Sequence, residues 1–274
     1  MAIDKINLNG TEYSVGGSGG SDLNTTFKIA YIGDSITDER VGYQMSGNFT
    51  YPRQLNRLMG ATSYASTAVA GNTIENHLAT QVSTVAANHK DSDLVIVMLG
   101  INDAYQGYSN NSYTTLGDGS AIAAATQAQC APGGTYGSTV LGIFKYQLMS
   151  LREALDTNTN ALGHICVVSP IGSSLDYTDT TLTAYLTNMR EGMRKIIDAL
   201  GVYPNSESVY NGWYYIDGKE IFPYKTSYDS TTVTHTELIR QGVHPNLQGE
   251  GMIAKGIFDR LPDLKLYKSL GLNE

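Results

Sequence analysis

Ile29-Ala30-Tyr31-Ile32-Gly33-Asp34-Ser35-Ile36-Thr37 is an apolar run that ends abruptly in Gly-Asp-Ser. A short apolar run bounded by turn residues reads as a buried strand, and glycine beside aspartate and serine is turn chemistry. The stretch therefore predicts a strand that delivers Ser35 to the carboxyl edge of a sheet. Taken alone the tripeptide serves equally well as a capped turn, so the rest of the chain must decide whether Ser35 does chemistry.

Outward from this strand, at residues 27–32, further apolar runs fall at 93–99, 164–169 and 213–216, with helical patterns between them. The clearest helix spans 182–200, where Leu182, Tyr185, Leu186, Met189, Met193, Ile196, Ile197 and Leu200 share one face and Gly201 supplies a stop. Buried strands alternating with helices predict an α/β fold, a three-layer α/β/α sandwich around a mostly parallel sheet. In such a sheet the active site lies beyond the carboxyl ends of the strands. Two Tyr-, Ser-, Thr-, Asn- and Gly-rich stretches, 104–138 and 203–236, read as long loops emerging there.

Residues 1–15 alternate as a small strand pair around Asn9-Gly10, and Gly16-Gly17-Ser18-Gly19-Gly20-Ser21 has the composition of a flexible linker. The expected organisation is a leader with its linker over 1–21 and one catalytic domain over 22–274, residues 1–15 docking on a larger assembly. A net charge of −8, with 41% hydrophobic and 16% charged residues, fits a globular chain and argues against a phosphate-binding surface, so nucleic acid is not expected as a partner. Met1-Ala2-Ile3-Asp4-Lys5 has neither the basic nor the apolar segment of a signal peptide, and no run is long enough for a membrane span. A cytoplasmic location is expected, or a virion-associated one if the chain is phage-derived. Cys130 and Cys166 show no metal or redox spacing and read as unpaired thiols. His77, His89, His164 and His235 likewise lack ligand spacing, so neither a metal nor an organic cofactor is expected.

Val95-Ile96-Val97-Met98-Leu99-Gly100-Ile101-Asn102-Asp103 is a second buried strand ending in Gly-X-Asn-Asp; Ala70-Gly71-Asn72 precedes it, and His244-Pro245-Asn246 lies near the carboxyl end. With Ser35, these blocks resemble those of the SGNH (GDSL-like) serine hydrolases, in the family's order and on the expected strand ends, over about residues 27–260. The resemblance implies the flavodoxin-like fold of that family and hydrolysis of an ester through an acyl-enzyme. It makes Ser35 the nucleophile, His244 the general base, and the backbone N–H groups of Ser35 and Gly71 with the Asn102 amide the oxyanion hole. A serine hydroxyl needs an imidazole to take its proton as the bond forms, and a glycine lets the backbone approach without a side chain in the way. Asp34 and Asp103 read as residues that fix these turns.

One position departs from the family. An aspartate usually stands three residues before the histidine, and here Gln241 does. Gln241 orients the imidazole through its amide oxygen, or a loop carboxylate (Glu237, Asp217 or Asp229) substitutes, or catalysis has been lost. Tyr105, Tyr108 and Tyr113, directly after the Asn block, are candidate substrate-lining residues. Polar, Tyr-rich insertions favour a carbohydrate O-acetyl ester, with a lipase or thioesterase, or an impaired binding module on the same scaffold, as alternatives. The leader also resembles those of phage or prophage tail-associated proteins.

Overall fold

The computed structural model describes residues 27–39, 49–158, 163–177, 179–201, 212–222 and 244–261, and the backbone of strand residues 5–8, 11–14 and 239–240. In chain order the elements are β1 (Lys5–Leu8), β2 (Thr11–Ser14), β3 (Lys28–Gly33), α1 (Tyr51–Met59), β4 (Ser63–Ser66), α2 (Ile74–Asn88), β5 (Leu94–Met98), α3 (Ile101–Ser109), α4 (Gly119–Ala124), α5 (Gln127–Cys130) and α6 (Val140–Leu155). There follow β6 (His164–Val168), α7 (Thr180–Gly201), β7 (Trp213–Ile216), α8 (Gly218–Ile221), β8 (Ile239–Arg240), β9 (His244–Pro245) and α9 (Leu247–Asp259).

Five strands form a parallel sheet in the order β4-β3-β5-β6-β7. Relative to chain order this is 2-1-3-4-5, the flavodoxin-like arrangement, whose winding direction reverses between β3 and β5 and opens a crevice at their carboxyl ends. Every residue of β5 and β6 is buried, as expected of strands covered on both faces. Alternate side chains divide between two cores. Ile29, Tyr31, Leu94, Ile96, Met98, Cys166 and Val168 pack toward α1 and α9. Ala30, Ile32, Val95, Val97, Ile165 and Val167 pack toward α2, α6 and most of α7. Each fully buried aliphatic side chain contributes roughly 1.5–3 kcal/mol relative to exposure, so the strands are fixed by burial and their loops are free to carry polar groups.

The strands expected at 93–99, 164–169 and 213–216 are observed within one residue at each end, while β4, short and largely exposed, carries too little apolar pattern to be anticipated. Helix α7 runs two residues further at its start than expected, and it includes Gly201 rather than stopping before it. The larger difference lies in 104–138, which is not a loop throughout: α3 continues to Ser109, and two short helices follow. Asp118 caps α4 by accepting from the N–H groups of Ser120 and Ala121, and Thr126 forms a capping box with Gln129 at α5. Buried Lys145 closes the other end of α4, its ammonium donating to the carbonyls of Ile122, Ala123 and Ala125. Polar composition masked this helical stretch, and its caps were the available signal.

β1 and β2 pair antiparallel with Leu8 opposite Thr11. Among the described residues no helix is long and apolar enough to cross a membrane.

Candidate active site

β3 and β5 deliver the first two motifs to neighbouring positions on either side of the crevice. Ile29 to Gly33 of β3 pair in register with Leu94 to Met98 of β5. The turn after β3 is tight: the N–H groups of Thr37 and Asp38 donate to the Asp34 carbonyl at 3.1 and 2.8 Å, and Ile36 N–H donates to the Asp34 carboxylate at 3.0 Å. A β-carbon on Gly33 would sit 2.3 Å from Thr37 Oγ1, so only glycine fits beneath this turn. Ser35 itself is 8% exposed at its rim.

The histidine arrives from the far end of the chain. His244 lies in the two-residue strand β9, paired with β8, and Asn246 then caps α9 by accepting from Gly249 N–H at 2.9 Å. This places His244 Nε2 2.8 Å from Ser35 Oγ, across 209 residues of sequence. Burial lowers the pKa of His244 below the ordinary 6.5, so the imidazole is neutral near pH 7 and able to accept a proton.

Gly71 follows Val69 and Ala70 on the loop beyond β4, with a positive φ of 81°, the left-handed region that favours glycine. Asp38 fixes this loop from the serine side by accepting from Ala70 N–H at 3.1 Å. α3 fixes it from the other side: Asn102 Nδ2 donates to the Asn72 carbonyl at 3.0 Å and Gln106 Nε2 to the Gly71 carbonyl at 3.2 Å, an i, i+4 pair on one helix face. The first bond uses one Asn102 amide hydrogen and leaves the second for a ligand. Asp103 caps α2, accepting from Ile74 and Glu75 N–H at 2.9 and 3.3 Å. Thus Asp34 and Asp103 fix turns, as their sequence context implies. Both carboxyls are pushed up by burial, Asp34 to about 7 with a further rise from the charge of Asp103, and Asp103 to about 6.

Taken together, the site offers a hydroxyl bonded to a neutral imidazole, beside a glycine loop and a side-chain amide aimed along it. That set can deprotonate an alcohol and stabilise a nearby oxyanion. Among the described residues no group of three or more His, Cys, Asp or Glu side chains is placed to hold a metal.

Of the tyrosines, Tyr105 and Tyr108 on α3 are 50% and 41% exposed. The ring of Tyr113 packs against Gly107 of α3 and lies tilted against Tyr185, with ring centroids 4.9 Å apart. Asp217 caps α8, accepting from Lys219 N–H at 2.8 Å. Gln241, Glu237, Asp229 and His235 lie outside the described residues. Four residues of the site were not anticipated from sequence: Asp38, Gln81, Gln106 and Glu250. Gln81 and Glu250 had a signal, each a polar residue inside an otherwise apolar helix stripe: Ile74, Leu78, Val82 and Val85 on α2, and Ile253, Ala254 and Ile257 on α9.

Residues 31–251 match the GDSL-like Lipase/Acylhydrolase family, a span reaching from the serine strand through the histidine block. The chain belongs to that family. It is therefore a carboxylic ester hydrolase of the GDSL type. Solved structures agree on the fold. A catalytic mutant of an acetylxylan esterase from Geobacillus stearothermophilus is 17% identical, with TM-score 0.55, over 85% of this chain and 93% of its own. A member of the lipolytic G-D-S-L family from Veillonella parvula is 14% identical, with TM-score 0.53, over 86% and 99%. An acetyl xylan esterase named AlAXEase is 16% identical, with TM-score 0.52, over 86% and 100%. No curated protein sequence matches this GDSL-family chain.

Proposed function

We propose that the protein is a serine esterase that removes O-acetyl groups from a carbohydrate through an acyl-enzyme, with Ser35 as nucleophile and His244 as general base. The observation that carries the reading is the 2.8 Å contact between His244 Nε2 and Ser35 Oγ. With its proton on Nδ1, the neutral imidazole accepts the serine hydrogen as Oγ attacks the ester carbonyl carbon. The carbonyl oxygen becomes an oxyanion and takes hydrogen bonds from the N–H groups of Ser35 and Gly71 and from Asn102. Imidazolium then returns the proton to the departing alcohol. Water, activated by the same histidine, attacks the acyl-serine and releases the acid.

The orienting residue for His244 is Gln241 in this reading, its amide oxygen accepting from the Nδ1–H. Asp217 is the weaker substitute, since its carboxylate already caps α8. The carbohydrate assignment draws on the exposed faces of Tyr105 and Tyr108, which suit stacking on a sugar ring, and on the acetylxylan esterases among the structures of similar fold. The β1–β2 pair supports reading residues 1–15 as a docking leader that joins the enzyme to a larger assembly.

Ser35→Ala should lower ester hydrolysis by at least about 10³-fold with the fold intact, and a serine-directed organophosphonate should label Ser35 alone. Labelling of another serine would refute the nucleophile. Product analysis on acetylated polysaccharides and on p-nitrophenyl esters of graded chain length tests the substrate. A preference for long acyl chains would transfer the assignment to a lipase or thioesterase.

A further inference from the structure

β3 has a defect in its hydrogen-bond ladder at the point where it becomes the nucleophile turn. In a parallel pair a residue directs its N–H and its C=O to the same neighbouring strand, and the next residue directs both to the opposite one. Tyr31 faces β4 and pairs regularly, its carbonyl accepting from Thr67 N–H at 2.9 Å. Gly33 faces the same way, but β4 has ended at Ser66 and the chain has turned into the Gly71 loop. A buried peptide left without partners there would cost about 1–3 kcal/mol per group.

A side chain supplies the missing partner. Gln81 on α2, 3% exposed, accepts from Gly33 N–H at 2.8 Å through Oε1 and donates to the Gly33 carbonyl at 2.8 Å through Nε2. Its primary amide takes the place of a strand peptide. Thr67 Oγ1 braces it at 3.3 Å from Oε1 and donates to the Tyr31 carbonyl, while Val69 N–H shares the Gly33 carbonyl at 3.3 Å. The same helix is anchored at its start by Asp103, next to Asn102, and leads directly from the Gly71 loop. α2 therefore touches the serine, glycine and asparagine motifs, and Gln81 is its contact with the first.

We infer that Gln81 is a positioning residue: by clamping both polar groups of Gly33 it sets the placement of Ser35 against the Gly71 and Asn102 donors. The inference rests on the serine-esterase reading above. A buried leucine would fill the same helix stripe, but it would leave the Gly33 N–H without its acceptor and the Gly33 carbonyl with only the longer bond from Val69 N–H, and a displacement of about 1 Å in a reacting group costs on the order of 100-fold in rate.

The test uses the full chain with two substitutions, Gln81→Met, which keeps length and volume without hydrogen bonds, and Gln81→Glu, which keeps the acceptor and replaces the amide donor with a titratable group. With p-nitrophenyl acetate, kcat should fall about 10- to 100-fold in Gln81→Met, with KM within about threefold of the parent and folding retained by circular dichroism. In Gln81→Glu the deficit relative to the parent should shrink as pH falls, because a protonated carboxyl again donates to the Gly33 carbonyl; a merely space-filling role gives no such rescue. Parental kcat in both variants, a loss confined to KM, or failure of both to fold would each overturn the inference. The organophosphonate separates this from the parent hypothesis. Absence of Ser35 labelling in the unsubstituted protein refutes the serine-esterase reading. Labelling there, with equally fast labelling in folded Gln81→Met, refutes the role of Gln81 alone.

Discussion

Ser35 hangs from a turn whose flanking backbone is gripped by buried side chains from three directions, Gln81 on Gly33, the Asp34 carboxylate on Ile36, and Asp38 reaching across to Ala70. His244 rests on a two-residue strand, and among the described residues its segment is tied down by the Asn246 cap and by Glu250, which accepts from Tyr51 N–H at 2.7 Å. The two halves of the pair meet at 2.8 Å although they are held by different means. The serine side is preorganised by hydrogen bonds to the backbone itself, which costs nothing at the moment of reaction. The histidine side is positioned through a helix, α9, docked on α1, and α1 in turn reaches the serine turn through the bond between Tyr51 and Thr37 hydroxyls at 2.9 Å. Substitutions on the serine side should therefore change rate alone, and those on the histidine side should also change pH dependence or stability.

Asn102 gives the largest effect beyond the nucleophile itself. Its amide both fixes the Asn72 carbonyl and, in the proposed reaction, donates to the oxyanion. Asn102→Ala should lower kcat by about 100- to 1000-fold, the usual loss for one oxyanion donor, with KM for p-nitrophenyl acetate little changed. A loss confined to KM would mean that Asn102 binds substrate rather than transition state. The rigid serine side would then lack one of its three proposed donors.

Gln241 probes the histidine side. Gln241→Ala should reduce turnover about 10- to 100-fold, below the roughly 10⁴-fold seen when an amide replaces a protease triad acid, because here the native residue is already an amide. Gln241→Asp should preserve or raise activity and move the acidic limb of the kcat/KM profile upward. The direction follows from His244: burial holds its pKa below 6.5 in the native protein, and a nearby negative charge favours the imidazolium. A silent Gln241→Ala, together with crippled turnover on replacing Asp217, Asp229 or Glu237, would reassign the orienting group to an insertion loop.

How much of this was legible in the sequence follows the same divide. β3, β5 and β6 announce themselves because a parallel strand buried on both faces must be continuously apolar, and the motifs at their ends are local in sequence. The Ser35–His244 pairing was available through family resemblance, although nothing local to either residue specifies a contact across 209 positions. Gln81, Asp38 and Glu250 bind backbone groups of distant segments, and a backbone N–H has no sequence identity to search for. Their trace is a polar residue on a buried face, which can be noticed from periodicity but not given a partner. The helices within 104–138 were hidden for another reason, since short capped helices rich in Ala, Ser and Gln look compositionally like loop.

Glu250 offers the smallest effect and the sharpest test of the histidine side. Its carboxyl is 3% exposed, accepts from Tyr51 N–H, and is pushed up to about 8 by burial, against an ordinary 4.5; its other oxygen has no hydrogen-bond partner among the described residues. A carboxyl with a raised folded-state pKa favours the folded state most when neutral. Its contribution is therefore complete below pH 4.5, declines as pH rises, and is lost by about pH 8, above which the fold contains a buried charge. Glu250→Gln keeps an acceptor for Tyr51 and cannot ionise. The variant should match the parent in melting temperature near pH 4.5, exceed it increasingly up to about pH 8, and hold a nearly constant lead above that. Each tenfold change in proton affinity is about 1.4 kcal/mol, and after allowance for relaxation around the charge a gain of about 2 kcal/mol, roughly 4–8 °C, is expected at pH 9. Esterase activity near pH 7 should persist, because the tie between α9 and α1 survives. A variant that instead melts lower than the parent at pH 9 would show that the ionised carboxylate is itself the stabilising form, capping α1 as an anion, and the histidine side would then depend on charge as well as on packing.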